Sequence, residues 1–135
     1  RYRSTQASID GIVPVTSGDS IVNAVAAVSN YLGADFNAVS YMEQGHTAVE
    51  TFDNISGVHG ISLTGITYEK ALSYVGDGSP VIARIGEDEY IIITAYNSSE
   101  IAYIEASTGA QKTVSMNDAG KMFSQGGNIY VTYYK

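Results

Sequence analysis

Between Ser20 and Gly33 the sequence reads SIVNAVAAVSNYLG, an almost uninterrupted apolar run with helical spacing. Ile21, Val25, Val28 and Leu32 recur at intervals of 4, 3 and 4, the period of one helix face. Asp19 or Ser17 is placed to cap its start, since a short side-chain oxygen can accept from the unpaired N–H groups of a first turn. Gly33 stops it. The small residues Ala24, Ala26 and Ala27 lie on the faces that a surface helix would fill with charged groups. Such a helix must be wedged closely between neighbours, so the rest of the chain has to supply layers to cover it.

The remaining segments offer those layers in a definite order. Residues 1–15 have extended character, with Ile9, Ile12, Val13 and Val15 around Gly11 and Pro14. After the long helix, Asp35 is placed to cap a shorter one through Phe36, Val39, Tyr41 and Met42. The Gly- and Thr-rich stretch 45–65 reads as irregular, with a short helix near Ala48–Phe52. Thr67 caps a helix over Tyr68–Val75. Gly76-Asp77-Gly78-Ser79-Pro80 is a turn by composition. Beyond it the period changes: Val81–Ile85, Tyr90–Ala95 and Ile101–Glu105 are β-rich runs separated by Gly86-Glu87-Asp88 and Asn97-Ser98-Ser99, as in an antiparallel meander. Thr113–Ser115 adds a short strand. Asn117 or Asp118 begins a last helix through Met122 and Phe123, and Ile129–Tyr134 returns as a final strand. Helices first and an antiparallel sheet afterwards define an α+β fold in a single domain over 1–135.

Composition excludes more than it selects. Seven basic residues against fourteen acidic ones give a formal charge of −7, without the basic footprint that a nucleic-acid backbone or anionic membrane needs. No apolar stretch approaches the roughly 20 residues of a membrane span. The absence of cysteine removes disulfides, thiolate catalysis and Cys-based zinc sites. A chain rich in Tyr, Ser, Thr and Gly, acidic and poor in lysine, has the texture of an extracellular or cell-surface domain; a cytoplasmic location is the alternative. Because it begins with Arg1, it is expected to be a mature product or a fragment of something longer.

Five pieces of local wording occur in a familiar order. Gly18-Asp19-Ser20 leads into the helix that ends Tyr31-Leu32-Gly33. Gly78-Ser79-Pro80-Val81-Ile82-Ala83 follows a helix, and Glu89-Tyr90-Ile91-Ile92-Ile93 opens the next strand. Glu105-Ala106-Ser107-Thr108-Gly109 ends the one after, and Met122-Phe123 with Gly127–Tyr133 closes the chain. From Val13 onward this resembles the papain-like peptidases that remove double-glycine leaders from bacteriocin precursors, including the peptidase domains of their ABC exporters. The resemblance implies a papain-like cysteine peptidase fold, N-terminal helices packed on a C-terminal antiparallel sheet. It also implies that the family's nucleophilic Cys, catalytic His and orienting Asp correspond to Ser20, Glu89 and Glu105.

Those positions hold the wrong chemistry for thiolate attack with an imidazole base. A hydroxyl such as that of Ser20 needs a strong base within hydrogen-bond reach. Glu89 is a poor one, because a carboxylate is a weak base toward a hydroxyl. Aligning Tyr90 or Asp88 there supplies no base either. His46 and His59 both precede the strands that would carry it, and Gln6 lies too far upstream to be the family's oxyanion glutamine. Losing the members of such a unit lowers turnover by about 10⁶. The resemblance thus implies a degenerate, catalytically inactive member that binds or scaffolds.

The expected function is a peptidase-like module holding a peptide or protein through Asp19, Ser20, Glu89 and Tyr90, at a bacterial cell surface. Two alternatives stand beside it: an accessory cargo-binding domain of an ABC exporter, and a serine hydrolase working through Ser20. No cofactor and no metal are expected. Glu87-Asp88-Glu89 lacks the oxygen spacing of a calcium loop, and His46 with Glu43 or Glu50 lacks a third ligand. Tyr130, Tyr133 and Tyr134 could form a sticky stripe or simply cover sheet faces. The last strand, Ile129–Tyr134, is a candidate for self-association if it lies at a sheet edge.

Overall fold

The computed structural model describes residues 6–135, so the extended reading of residues 1–5 lies outside the described residues. The elements, in order, are β1 (Ala7–Ser8), α1 (Ser20–Tyr31), α2 (Ala38–Glu43), α3 (Ala48–Asp53), β2 (His59–Thr64) and α4 (Tyr68–Gly76). They continue with β3 (Val81–Gly86), β4 (Glu89–Tyr96), β5 (Glu100–Glu105), β6 (Gln111–Ser115), α5 (Met116–Gln125) and β7 (Ile129–Tyr134). The strands form one antiparallel sheet in the order β2-β7-β3-β4-β5-β6, with β1 added beside β4. The meander expected over β3, β4 and β5 is present and extends into β6.

Both faces of this sheet are covered. On one, Ile82, Ile92, Ile104, Val131 and Tyr133 pack against Ala24, Val25, Ala27 and Val28 of α1 and Phe52 of α3. On the other, Val81, Ala83, Ile91, Ile93, Ile101, Tyr103 and Tyr130 pack against Ala71, Leu72 and Val75 of α4 and Ala119 and Phe123 of α5. Alternation along each strand sends successive side chains to opposite layers. In α1 every residue from Asn23 to Ser29 is buried, because the helix is held between the sheet and the pair α2–α3. Its alanines permit that approach on two sides.

Four readings need correction. The short helix expected near Ala48–Phe52 is present as α3, fixed by a capping box between Thr47 and Glu50, but the rest of stretch 45–65 is not irregular, because β2 pairs along its whole length with β7. The glycine that weakened the strand signal is there for packing. A Cβ at Gly60 would lie 2.7 Å from the Val49 carbonyl oxygen, closer than α3 and β2 could tolerate. The last strand is no edge: β7 lies between β2 and β3, which leaves β2 and β6 at the rims. Tyr130 and Tyr133 form no surface stripe either. They are buried on opposite faces, and Tyr134 alone of the three is exposed. Finally, α2 is capped by Asn37, not Asp35, and α5 by Ser115, not Asn117 or Asp118. In each case the residue whose oxygen reaches the third N–H of the helix is the true cap.

Burial of Tyr130 raises its phenol to about 12, with Glu69 adding to the shift. One polar atom in α1 is less well placed. The hydroxyl of Ser29 is buried without a hydrogen-bond partner. An unpaired buried hydroxyl costs about 1–3 kcal/mol, so Ser29→Ala is expected to raise stability by up to about 1 kcal/mol once the lost packing is allowed for. Urea unfolding of the two proteins measures it. A fall in midpoint would show that the hydroxyl has a partner, such as a buried water.

Candidate functional site

The first turn of α1 meets the sheet where β4 begins and β5 ends. Asp19 occupies the cap position, but its side chain makes no capping bond; the first helical bond runs from the Asn23 N–H to the Asp19 carbonyl, at 2.8 Å. Ser20 is 8% exposed and its hydroxyl turns to the strand rather than to solvent. Its Oγ accepts from the Tyr90 N–H at 2.8 Å and donates to the Tyr90 carbonyl at 3.4 Å. One turn on, the buried Asn23 amide donates to the Ala106 carbonyl at 3.0 Å and accepts from the Gly18 N–H at 2.8 Å. Ala106 N–H in turn donates to Tyr90 O at 3.1 Å, so residues 20, 23, 90 and 106 form one linked patch.

The pleat of the sheet decides which side chains share it. Tyr90 and Ala106 lie on the α1 face, Tyr90 half-buried against that cluster and Ala106 within it. Ile91 belongs to the opposite cluster, and Glu105 stands directly across from Ile91. Glu105 therefore points away from α1. It accepts from the Thr108 hydroxyl at 2.7 Å and from Lys112 Nζ at 2.9 Å, and these contacts, Thr108 first, hold its carboxyl below the ordinary carboxylate range. Glu89 is exposed, next to the Glu87-Asp88 turn in which Asp88 adopts φ 54°. By the same alternation it too is out of step with Tyr90.

Of the sequence-selected residues, the fold thus brings Asp19, Ser20 and Tyr90 together, with Glu89 adjoining in the chain. Ser20 and Tyr90 touch through main chain, whereas the side chains of Glu89 and Glu105 leave on the other face. Asn23 and Ala106 carry as much of the patch as Ser20 does, and sequence reasoning passed over both. Asn23 was detectable: it is an amide inside an otherwise apolar helix, and a buried amide requires partners.

No imidazole adjoins Ser20. His46 stacks on Tyr41 at 3.7 Å between ring centroids, in the α2–α3 connection. His59 stacks on Tyr134 at 5.2 Å, at the end of β2–β7 far from the start of β4. Gln6 lines a groove with Tyr96 and Asn97, at the opposite end of β4 from Tyr90. Among the described residues no group of three or more His, Asp or Glu side chains could hold a metal ion, and no helix is long and apolar enough to cross a membrane.

Comparison with known proteins turns on the fold. No family model matches the chain, and no curated protein matches it. Among solved structures, it is similar to the crystal structure of a protein described as a C39-like peptidase, from Bacillus anthracis. The TM-score is 0.74 at 12% sequence identity, covering 98% of each chain. The α+β fold is accordingly that of a C39-like peptidase, the class to which the order of motifs pointed.

Removal of the Asn23 amide would strand both the Ala106 carbonyl and the Gly18 N–H. Asn23→Ala is therefore expected to destabilise by about 2–4 kcal/mol. Ser20→Ala, which leaves only the Tyr90 main chain to be hydrated at a partly open edge, should cost about 1–2 kcal/mol. Chemical denaturation of both variants tests the order. A smaller loss for Asn23→Ala than for Ser20→Ala would contradict the assignment of the amide as the main tie.

Proposed function

We propose that this peptidase-like domain no longer cuts, and that it serves as a protein- or peptide-binding module on a bacterial cell surface. One observation carries the loss of activity: the Ser20 hydroxyl, at the nucleophile position of the resembled peptidases, is engaged on both sides by the main chain of Tyr90. A serine nucleophile needs a base that removes its proton as it attacks. Ser20 faces an amide N–H and a carbonyl, neither of which can serve. Neither histidine adjoins it: His46 stacks on Tyr41 and His59 on Tyr134.

Support for binding comes from what the fold has kept. The first turn of α1 is tied to β4 and β5, leaving Asp19 exposed beside the half-buried Tyr90, with Glu89 exposed on the other face at the start of the strand. That rim is acidic at one side and aromatic at the other, a surface suited to an extended peptide with basic or neutral side chains. The surface location rests on composition, acidic, Tyr- and Thr-rich and cysteine-free. Both the exporter-domain and the serine-hydrolase alternatives require something further, flanking membrane spans in the first case and a base at Ser20 in the second.

The test is a panel of fluorogenic peptides, double-glycine sequences included, incubated with the protein and with Ser20→Ala. The two are expected to release product at the same rate as buffer, while an immobilised form retains a subset of the uncut peptides. Binding should fall several-fold in a Tyr90→Ala variant. Turnover above buffer that vanishes with Ser20→Ala would refute inactivity. Cleavage-free solutions in which no peptide is retained would refute the binding role.

A further inference from the structure

The N-terminal arm, residues 6–10, carries β1, the shortest strand among the described residues. Antiparallel β4 is eight residues long, and β3 covers only its first part, ending at the pair Val81–Ile93. Pro80, which has no N–H, precedes Val81. Beyond that point the same edge of β4 is filled by β1, through the pairs Ser8–Ala95 and Ala7–Tyr96 and a 2.8 Å bond from the Ile9 N–H to the Thr94 carbonyl. Grooves of about 490 and 420 Å³ flank the arm, and both are lined by Ser8, Ala95 and Ala102. Ile9 reaches the margins of both cores. Gly11 follows with φ 93°, a left-handed conformation that marks a turn, and Ile12 is then locked into the α1-side core at 7% exposure. The arm is a two-residue strand on a glycine pivot, upstream of a firm anchor.

We propose that the β4 edge at Thr94–Tyr96 is a strand-acceptor site, and that two copies of this chain exchange their arms through it. The arm itself identifies the occupant, since Ala7-Ser8-Ile9 is the sequence that demonstrably fits the slot. A second copy's arm would make the same hydrogen bonds and bury the same isoleucine. Rotation at Gly11 releases residues 6–10 while Ile12 stays seated, so exchange withdraws only Ala7 and Ile9 from the margins of the cores. Reciprocal donation closes on a two-fold axis, which stops assembly at a dimer. Only the pivot and the loss of translational freedom distinguish dimer from monomer, so the dimer gains with concentration.

Because the chain has no cysteine of its own, a cross-link can report the exchange without ambiguity. Ser8→Cys and Ala95→Cys chains, one of them isotopically labelled, are unfolded together, refolded at high concentration and oxidised. A disulfide between position 8 of one chain and position 95 of the other is expected. Its yield should exceed by on the order of tenfold that of Ser8→Cys mixed with Ser107→Cys, an exposed position away from the slot. The unmodified chain, refolded concentrated and dilute, gives a second readout by size-exclusion chromatography. A dimer is expected after the concentrated refolding alone, and deletion of residues 1–10 should abolish it. Cross-linking no better than the control would overturn the proposal. So would an unmodified chain that elutes as a monomer from both refoldings, or a dimer that survives the deletion.

Discussion

The organisation of this protein depends on two polar side chains of α1 that bond to the main chain of the sheet. Ser20 holds Tyr90, and Asn23 joins Ala106 to Gly18. An apolar helix packed by hydrophobic burial alone could slide along a sheet, because burial is non-directional. These bonds fix the position of α1 to within a hydrogen-bond length, at the point where β4 begins. They also satisfy main-chain groups at the end of β5, where the Ala106 carbonyl has no strand partner to accept from. A packed helix, a registered sheet and a defined site therefore share one cause.

The same contact limits what the start of α1 can do chemically. In an active site built this way, the residue at the start of α1 must keep its reactive atom free to meet substrate. Here the hydroxyl is engaged by the main chain of Tyr90, where the bond contributes stability.

Much of the fold was legible in local sequence because its signals are local. The α1 period, the Thr67 cap of α4 and the β3–β4–β5 runs all stand where spacing and capping chemistry placed them. What escaped was decided by distant partners. The strand β2 carries only Ile61 and Thr64 as β-branched residues, and it exists through its pairing with β7, some seventy residues on. The internal position of β7 follows from that pairing as well, and no property of Ile129–Tyr134 itself could reveal it. Gly60 argued against a strand in sequence, yet it is what allows α3 to sit over one.

The site shows a subtler limit, set by the period of a β-strand. Local wording aligned Glu89 and Glu105 with a family's base and orienting acid, and both lie within one residue of the patch at Ser20. In a strand, one residue is the difference between two faces. The positions that share the α1 face are Tyr90 and Ala106, a phenol and a methyl group, whereas both carboxylates belong to the opposite layer. No movement of side-chain rotamers carries a carboxylate through a sheet. Proton transfer to or from Ser20 would need a new side chain at 90, oriented by another at 106 or its neighbours, and the cross-strand bond between those two residues shows that they already face each other. The patch thus joins one hydroxyl to two strand positions on the same face, with neither a carboxylate nor an imidazole among them.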